Sequence, residues 1–303
     1  MNSTIKERLE ATLTKYHISK NKASREIGYS GAVLSAYTTG SYSGDVIKLE
    51  DAIVKWCARK DQAHSRKRVP IVETSALKTI TNAIQLTHSE HDIALIVADA
   101  GSGKTTAAKR YADKNDLSVV YIPVVAGMNR KMLTSEIAQQ LGLETTRVPQ
   151  NVLVKNIADA LSEVDSLVIL DEADYLKADA LEFVRRLVYD LGEAGLVLIG
   201  LPTLRGLIQN LHQDHRQLES RIGINLDLEG LTLSDATLIA RSVWENCSMD
   251  IVKAIFDVSK NDTRQFCKIV ERMQNTMVLN KMEEPTIEVV EVSSSMVLKR
   301  RSK

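Results

Sequence analysis

The sequence predicts an α/β fold with a parallel five-stranded sheet, preceded by a small all-helical unit and followed by a helical subdomain. From about residue 71, apolar runs of strand length alternate with helical segments. A Gly-rich turn at residues 98–105 follows the first of these runs, and two acidic residues end another at Asp171 and Glu172. From residue 234 to about 280 the pattern is wholly helical.

The strands are predicted from short apolar runs, which are typical of a parallel sheet that is buried on both faces. The last of them alternates through Ile222, Ile224, Leu226 and Leu228, which is typical of a strand. The five candidate strands are residues 93–98, 117–123, 166–170, 195–200 and 221–228. Helices are predicted between them, including residues 130–141, 152–164 and 178–191.

The composition limits the class of protein. A length of 303 residues suggests about two domains, and an aromatic content of 4% predicts aliphatic cores. No apolar run approaches the ~20 residues that span a bilayer, and the first residues lack the apolar region of a signal peptide. Cys57, Cys247 and Cys267 are far apart and form no C-x-x-C motif. We therefore expect a cytoplasmic chain with reduced thiols and no membrane contact.

Charge is unevenly distributed although the formal net charge is zero. Residues 1–70 carry 13 Lys and Arg against 7 Asp and Glu, whereas the remainder carries 26 against 32. A basic N-terminal unit on an acidic body favours contact with a polyanion, and a solvated basic surface is the alternative.

Residues 1–60 predict a helix-turn-helix domain. A helix over residues 5–17 is followed by two short helices, residues 21–27 and 31–37, which a Gly-containing turn separates. A further helix is expected over residues 46–60.

Ala23, Ile27 and Leu34 would form the apolar contact between the two short helices. Candidate DNA contacts lie on the second helix or at its start. They are Ser30, Ser35 and Tyr37. A small helical domain that docks on protein is the alternative.

Segment boundaries follow from composition. Residues 61–70 are polar, include the basic run Arg66-Lys67-Arg68 and end in proline, which is typical of a linker. We expect the α/β core at residues 71–230 and a helical lid at residues 231–282. Residues 283–303 contain three consecutive serines and a basic end, and predict a flexible tail.

The Gly-rich turn has the strand–loop–helix context of a phosphate-binding P-loop, whose amides cradle phosphate oxygens at a helix N-terminus. Lys104 would reach the terminal phosphates of ATP, and the Thr105 hydroxyl would hold Mg²⁺. Alanine stands at position 98, where the motif has its first glycine. The candidate nucleotide-binding residues are Ala98, Asp99, Ala100, Gly101, Ser102, Gly103, Lys104, Thr105 and Thr106.

An apolar run ends in Asp171 and Glu172, the Walker B pattern. A buried strand would deliver both carboxylates to the sheet edge beside the P-loop. Asp171 would bind Mg²⁺, largely through water, and Glu172 would orient and deprotonate the attacking water.

Phosphoryl transfer also requires cations against the charge of the transition state. Arg216, Arg221 and Arg264 are the candidates, because Arg221 precedes the last predicted strand and Arg264 begins a helix of the lid. A surface ion pair is the alternative for Arg221 and for Arg264.

Together these motifs resemble the AAA+ ATPases, and the chain as a whole resembles the phage Mu B-type transposition proteins with their TnsC- and IstB-type relatives. The resemblance covers most of the length. It also includes residues 70–74 at the entry to the core, residues 195–200, and Ser220-Arg221-Ile222.

The resemblance implies an ATPase, with slow turnover, that binds double-stranded DNA with little sequence preference. It also implies a homo-oligomeric filament that delivers target DNA to a DDE transposase in a bacterial or phage-infected cytoplasm. By position, Arg221 would be an arginine finger acting on a neighbouring subunit, and Arg264 the sensor-2 arginine. Where the family often has asparagine as sensor 1, this chain has Leu201-Pro202-Thr203, so Thr203 would substitute or hydrolysis would be slow.

Cationic residues near the second strand are candidate DNA contacts of the filament. Asn129, Arg130 and Lys131 follow that strand, and Arg147 and Lys155 are further candidates. A solvated helix start is the alternative for Arg130 and Lys131, although cations there oppose the helix dipole.

Two other functions are open: an AAA+ helicase loader, and a transcriptional regulator whose N-terminal domain reads an operator under ATP control. Coverage of DNA that grows with its length would favour the transposition protein, and a discrete footprint the regulator.

Overall fold

The computed structural model describes residues 3–16, 18–64, 68–209 and 217–297. The predictions made for Arg66, Lys67, Arg216 and the end of the tail, residues 298–303, lie outside these ranges. The chain divides into two compact units, Met1–Arg68 and Val69–Lys303.

The first unit consists of four helices around an apolar core. Leu9, Leu34, Leu49 and Ile53 are fully buried there together with the indole of Trp56. The helices are α1 (Ser3–Lys15), α2 (Lys20–Ile27), α3 (Gly31–Thr39) and α4 (Val46–His64).

The two short helices of this unit, α2 and α3, form where the sequence predicts them. Gly28 ends α2 with a left-handed φ of 92°, and the Ser30 side chain caps α3 by accepting from the backbone N–H of Val33. Ala23 and Leu34 are buried as expected.

The expectation for Tyr37 was wrong. Its ring is 1% exposed in the core, and its hydroxyl donates to Glu50 Oε1 at 2.9 Å. Burial raises the pKa of Tyr37 to about 12. The helix turns this position inward, so Tyr37 stabilises the unit and does not contact DNA.

The second unit is built on a five-stranded sheet in which all neighbouring strands are parallel, as the sequence predicts. The strand order β2-β3-β4-β1-β5 places the first strand between the last two. The strands are β1 (Ile93–Ala98), β2 (Val119–Pro123), β3 (Leu167–Asp171), β4 (Gly195–Gly200) and β5 (Ile222–Leu228).

Helices cover both faces of this sheet, and β1, β3 and β4 are buried along their whole length. The helices of the core are α5 (Ser75–Glu90), α6 (Lys104–Lys114), α7 (Arg130–Gln140), α8 (Gln150–Ser162), α9 (Ala178–Val184), α10 (Pro202–Gln209) and α11 (Gln217–Ser220). A separate apolar cluster holds the lid helices α12 (Leu233–Arg241), α13 (Met249–Ser259), α14 (Thr263–Leu279) and α15 (Ile287–Val297).

The single helix predicted over residues 178–191 changes type within its length. It is α-helical as α9 and continues as a π-helix over Arg185–Leu191. A π-turn bonds residues five apart and is rare, and such turns occur frequently at functional sites.

The expectation of a flexible tail was wrong for Ile287–Val297, which forms α15. Val289, Val290, Ser293 and Ser294 are buried on the face that packs in the lid cluster. The Ser294 hydroxyl donates to the Glu291 carbonyl at 3.0 Å. A serine that bonds within its own helix can be buried, so a Ser-rich segment is not necessarily disordered.

Within the described ranges, no helix has both the length and the apolar content that a membrane span requires.

Candidate nucleotide-binding site

The P-loop connects the end of β1 to the start of α6. Lys104, the first residue of α6, donates from Nζ to the carbonyls of Ala98 and Asp99 at 2.7 and 2.8 Å and to Ser102 Oγ at 3.2 Å. Gly103 caps α6 without a side-chain hydrogen bond, so backbone N–H groups of the first turn are left for a ligand. Loop, ammonium and helix dipole together make an anion site.

The ammonium of Lys104 is partly desolvated. Burial lowers the pKa of Lys104, and the nearby carboxylates of Asp171 and Asp174 oppose this shift. The alanine at position 98 is compatible with the loop, because Ala98 is a buried strand residue that contributes its carbonyl.

A glycine is required at position 101 because the lid lies too close to the P-loop for a side chain there. Its φ is +87°, and a Cβ placed there would clash with Asp262 Oδ1 and lie 3.1 Å from Arg264 Cβ. Asp262 caps α14 by accepting from the N–H of Gln265 at 3.0 Å. The start of the lid helix therefore packs directly against the P-loop, and Arg264 lies beside that loop.

Asp171 ends β3 and is 3% exposed. Its Oδ1 accepts from the backbone N–H of Glu172 at 3.1 Å, and its Oδ2 accepts from the Tyr121 hydroxyl at 2.8 Å. Burial raises the pKa of Tyr121, and the hydrogen bond to Asp171 adds to this effect, so the phenol stays a donor. Two donors thus fix the carboxylate of Asp171.

Glu172 leaves the strand in the left-handed region, with φ 59° and ψ 38°, and its side chain is exposed. This turn separates the two carboxylates: that of Asp171 is buried, whereas the Glu172 side chain is exposed. A non-glycine residue in this conformation is uncommon and is often found at functional positions.

The donor set fits Mg²⁺ held together with a nucleotide. Mg²⁺ in phosphate sites uses one or two carboxylates plus phosphate oxygens and water. Asp171 and Thr105 line the same cavity. In the part of the chain that the structure describes, no group of three or more His, Cys, Asp or Glu side chains is arranged to bind a metal ion on its own.

At the position of sensor 1, after β4, a backbone N–H rather than a polar side chain makes the hydrogen bond. The Leu201 N–H donates to Asp174 Oδ1 at 3.1 Å, and a Cβ added at Gly200 would meet that oxygen at 2.6 Å. Gly200 and Leu201 line the cavity, whereas Thr203 is exposed and does not line it. The substitution of Thr203 for sensor 1 is therefore not supported.

These elements enclose a cavity of about 410 Å³. That volume lies within the roughly 300–1,000 Å³ typical of small-molecule sites. Its wall comprises residues 100–106, the end of β3 with the following Asp174 and Tyr175, Gly200 and Leu201, and Thr263, Arg264 and Cys267 of the lid; Ala98 and Asp99 are not part of it. Burial raises the pKa of Cys267 to about 11, so this thiol is protonated and unreactive.

Arg221 does not face this cavity. It precedes β5, whose first residue, Ile222, pairs with Ile93 at the start of β1, whereas the P-loop follows the end of β1. A strand of six residues spans about 20 Å. Arg221 therefore lies at the opposite end of the strands from Lys104 of the same chain.

The predicted DNA contacts of the second unit lie at the start of α7, in the loop before α8 and on α8. Asn129 caps α7 by accepting from Met132 N–H at 3.1 Å, and Arg130 pairs with Asp179 at 3.0 Å. Lys131, Arg147 and Lys155 are exposed. Among the candidates in the first unit, Ser30 and Ser35 are exposed.

A second cavity, of about 500 Å³, brings the starts of these two helices together. Its wall contains Arg130 and Lys131 from α7, Val148 and Gln150 at the start of α8, and Phe183. The N-termini of α7 and α8 meet here beside the exposed Lys131, whereas Arg130 is paired with Asp179.

The parallel sheet order, the P-loop at its centre, the acidic end of β3 and the helical lid are those of the AAA+ P-loop fold. Residues 87–208 match the family model described as "AAA domain". The ORC2 protein of Aeropyrum pernix superposes with a TM-score of 0.60 at 18% identity, covering 79% of this chain and 72% of that one. This likeness concerns the fold alone.

The chain is similar to B transposition proteins of Mu-like phages, which the sequence motifs also indicate. It is 27% identical to the Mu-like prophage FluMu DNA transposition protein B of Haemophilus influenzae, over 79% of this chain and 85% of that protein. It is 26% identical to the ATP-dependent target DNA activator B of Escherichia phage D108, over 84% of this chain and 78% of that protein.

Sequence reasoning missed three residues that organise the site: Tyr121, Asp174 and Asp262. Asp174 lies three residues after Asp171, and Asp262 lies two residues before Arg264. An acidic residue at the start of a helix is a signal that sequence reasoning can use. Nothing in the sequence around Tyr121 indicates its contact, which arises from strand register.

Proposed function

We propose that this protein is an ATP-dependent, largely non-sequence-specific DNA-binding ATPase, which forms filaments on target DNA and delivers that DNA to a DDE transposase. The opposite placement of Lys104 and Arg221 is the observation that carries the proposal. An arginine about a strand's length away cannot reach the phosphates bound in its own chain. A second copy, stacked head to tail, would supply its Arg221 to complete the site.

Assembly would then depend on ATP, because the nucleotide lies between two subunits. A head-to-tail contact that does not close into a ring continues as a helix. Within each site, Lys104 would bind the terminal phosphates, Asp171 and Thr105 would hold Mg²⁺, and Glu172 would take the proton of the attacking water. Arg264 would contact the phosphates from the lid.

Two features support DNA binding through phosphates. The surface around Arg130 and Lys131 combines cations with two helix N-termini, which favour anions without regard to sequence. Helix α3 exposes Ala32, Ser35 and Thr39 and contains no Arg, Lys, Asn or Gln, the side chains that most often read bases. Weak contacts of each subunit would add along a filament.

The comparisons favour this function over the helicase loader and the regulator. Both curated relatives are named for DNA transposition or for the activation of target DNA. This chain aligns over most of its length with each of them.

The proposal is tested by electron microscopy and sedimentation of the full chain with duplex DNA of several lengths, in ATP, in ADP and in a non-hydrolysable ATP analogue. Filaments that require ATP or its analogue, and whose mass grows with DNA length, are expected. Lys104→Ala should abolish them, whereas Lys114→Ala, at the exposed far end of α6, should not.

A discrete footprint on one DNA sequence would contradict the proposal and favour the regulator. Filaments that form equally without nucleotide would contradict the role of the P-loop in assembly.

A further inference from the structure

Four charged side chains form a connected cluster at the end of α9 and the start of β5. Arg185 is fully buried and donates from Nε and Nη2 to Glu182 Oε1, at 3.0 and 2.6 Å. Its Nη1 donates to Asp190 Oδ2 at 2.5 Å. The other oxygen of Asp190 accepts from Arg221 Nη1.

The π-turn is what builds this cluster. Arg185 and Asp190 are five residues apart, the spacing that a π-helix brings into register. In an α-helix the residue one turn after Arg185 would be Tyr189, and Asp190 would be rotated away. The rare backbone therefore has a definite consequence: it sets a carboxylate between a buried and a surface arginine.

Asp190 is held by a buried arginine, while Arg221 is accessible. The side chain of Arg185 is 0% exposed, that of Asp190 26%, and that of Arg221 41%. The Arg221 guanidinium also lies 5.9 Å from the centre of the Tyr189 ring. Within the described ranges, Nη1 is the Arg221 donor that has a hydrogen-bond partner, so Nε and Nη2 are available to an outside acceptor.

We propose that Asp190 is a positioning residue for Arg221: through the π-turn, it fixes one edge of the guanidinium and directs the remaining donors toward the nucleotide of a neighbouring subunit. This inference rests on the proposed function, in which Arg221 acts on another copy. Holding an arginine before assembly reduces the rotamer entropy that the interface would otherwise lose. It also explains why an acidic residue adjoins an arginine that must meet phosphate.

The test uses the full chain assembled on duplex DNA, with the ATPase rate measured against ATP concentration. Asp190→Asn keeps the shape of the side chain and removes its charge. It should lower kcat about 10-fold through misplacement of Arg221, and leave KM within twofold. Nucleotide binding to the unassembled chain should be unchanged, because Asp190 is remote from the P-loop.

Asp227→Asn is the matched control. Asp227 forms an exposed pair with Arg205 at 2.8 Å in the same unit, so this variant also removes the acidic partner of an arginine. It should retain the kcat of the unmodified chain.

A double-mutant cycle separates positioning from a general structural role. If Asp190 acts through Arg221, Asp190→Asn should cause no further loss of kcat in an Arg221→Ala background. Additive losses would overturn the inference. Should Asp190→Asn fail to fold, Asp190→Glu keeps the charge opposite Arg185, shifts the carboxylate by one methylene, and is expected to lower kcat in the same non-additive way.

Failure of the arginine finger and failure of its positioning give different results. If Arg221→Ala has the kcat of the unmodified chain, the arginine finger itself is wrong. If Arg221→Ala is slow and folded Asp190→Asn is not, the finger stands and the role of Asp190 is overturned.

Discussion

The Tyr121 hydroxyl donates a hydrogen bond of 2.8 Å to Asp171 Oδ2, linking β2 to the acidic end of β3. In the sheet register Tyr121 lies opposite Ile169, two residues before Asp171, so both side chains are on the same face. The Lys109 ammonium lies 5.8 Å from the centre of the Tyr121 ring. Tyr121 thus orients the carboxylate that would hold Mg²⁺.

We predict that Tyr121→Phe raises the Mg²⁺ concentration required for half-maximal ATP binding by about 10-fold or more, because outer partners of a metal ligand have effects of that size. The measurement is binding of a fluorescent ATP analogue during Mg²⁺ titration. Tyr111→Phe removes the hydroxyl that bonds to His88 at 3.0 Å, and it serves as the control. An unchanged Mg²⁺ dependence in Tyr121→Phe would reject the role of Tyr121.

Gly101→Ala should destabilise the second unit and weaken nucleotide binding. Alanine is strained at a φ of +87°, and its Cβ would displace the Asp262 carboxylate that caps α14. The two effects together should cost about 2–3 kcal/mol of unfolding free energy, measured by denaturant titration.

Gly206→Ala is the matched control for this change. Gly206 lies within α10, and a Cβ added there meets nothing within 4 Å. Gly206→Ala should raise the unfolding free energy by about 0.5–1 kcal/mol, because alanine is the better helix former. Equal effects of the two substitutions would contradict the close contact between lid and P-loop.

Glu172→Gln should trap the ATP-bound state. The amide keeps the size of the side chain and cannot accept the proton of the attacking water, so hydrolysis should fall by about 100-fold or more, on the order of a lost general base. Filaments should persist after free ATP is removed, as followed by light scattering. Disassembly at the normal rate would show that Glu172 is not the base.

Arg130→Ala combined with Lys131→Ala should reduce the salt dependence of DNA binding. Each phosphate contact contributes about 0.9 to the slope of log K against log salt concentration, so the slope should fall by up to about 2 per subunit. Fluorescence anisotropy with labelled duplex DNA measures it. Lys253→Ala with Lys268→Ala, on the lid helices α13 and α14, should leave the slope unchanged.

If Arg130→Ala with Lys131→Ala leaves the salt dependence of DNA binding unaltered, the DNA contact lies elsewhere. Arg147 and Lys155 would then be the next positions to examine, since both are exposed nearby in sequence.

The amino-acid sequence is sufficient to predict the sheet, the P-loop and the acidic end of β3. Strands buried on both faces are continuous apolar runs, and a P-loop is a local motif whose glycines and lysine lie within a few residues. For the same reason Lys104 and Asp171 can be assigned to one site from the two motifs alone. The two short helices around Gly28 are likewise recognisable from neighbouring residues.

Which distant side chains meet depends on the packing of the folded chain. Tyr121 reaches Asp171 through strand register, Arg221 reaches Asp190 through a π-turn, and Tyr37 reaches Glu50 of α4 from within the core of the first unit. These contacts join residues 50, 31 and 13 positions apart. Pairing at such separations depends on how elements are rotated and aligned, and a one-residue change in helix type or register would abolish it.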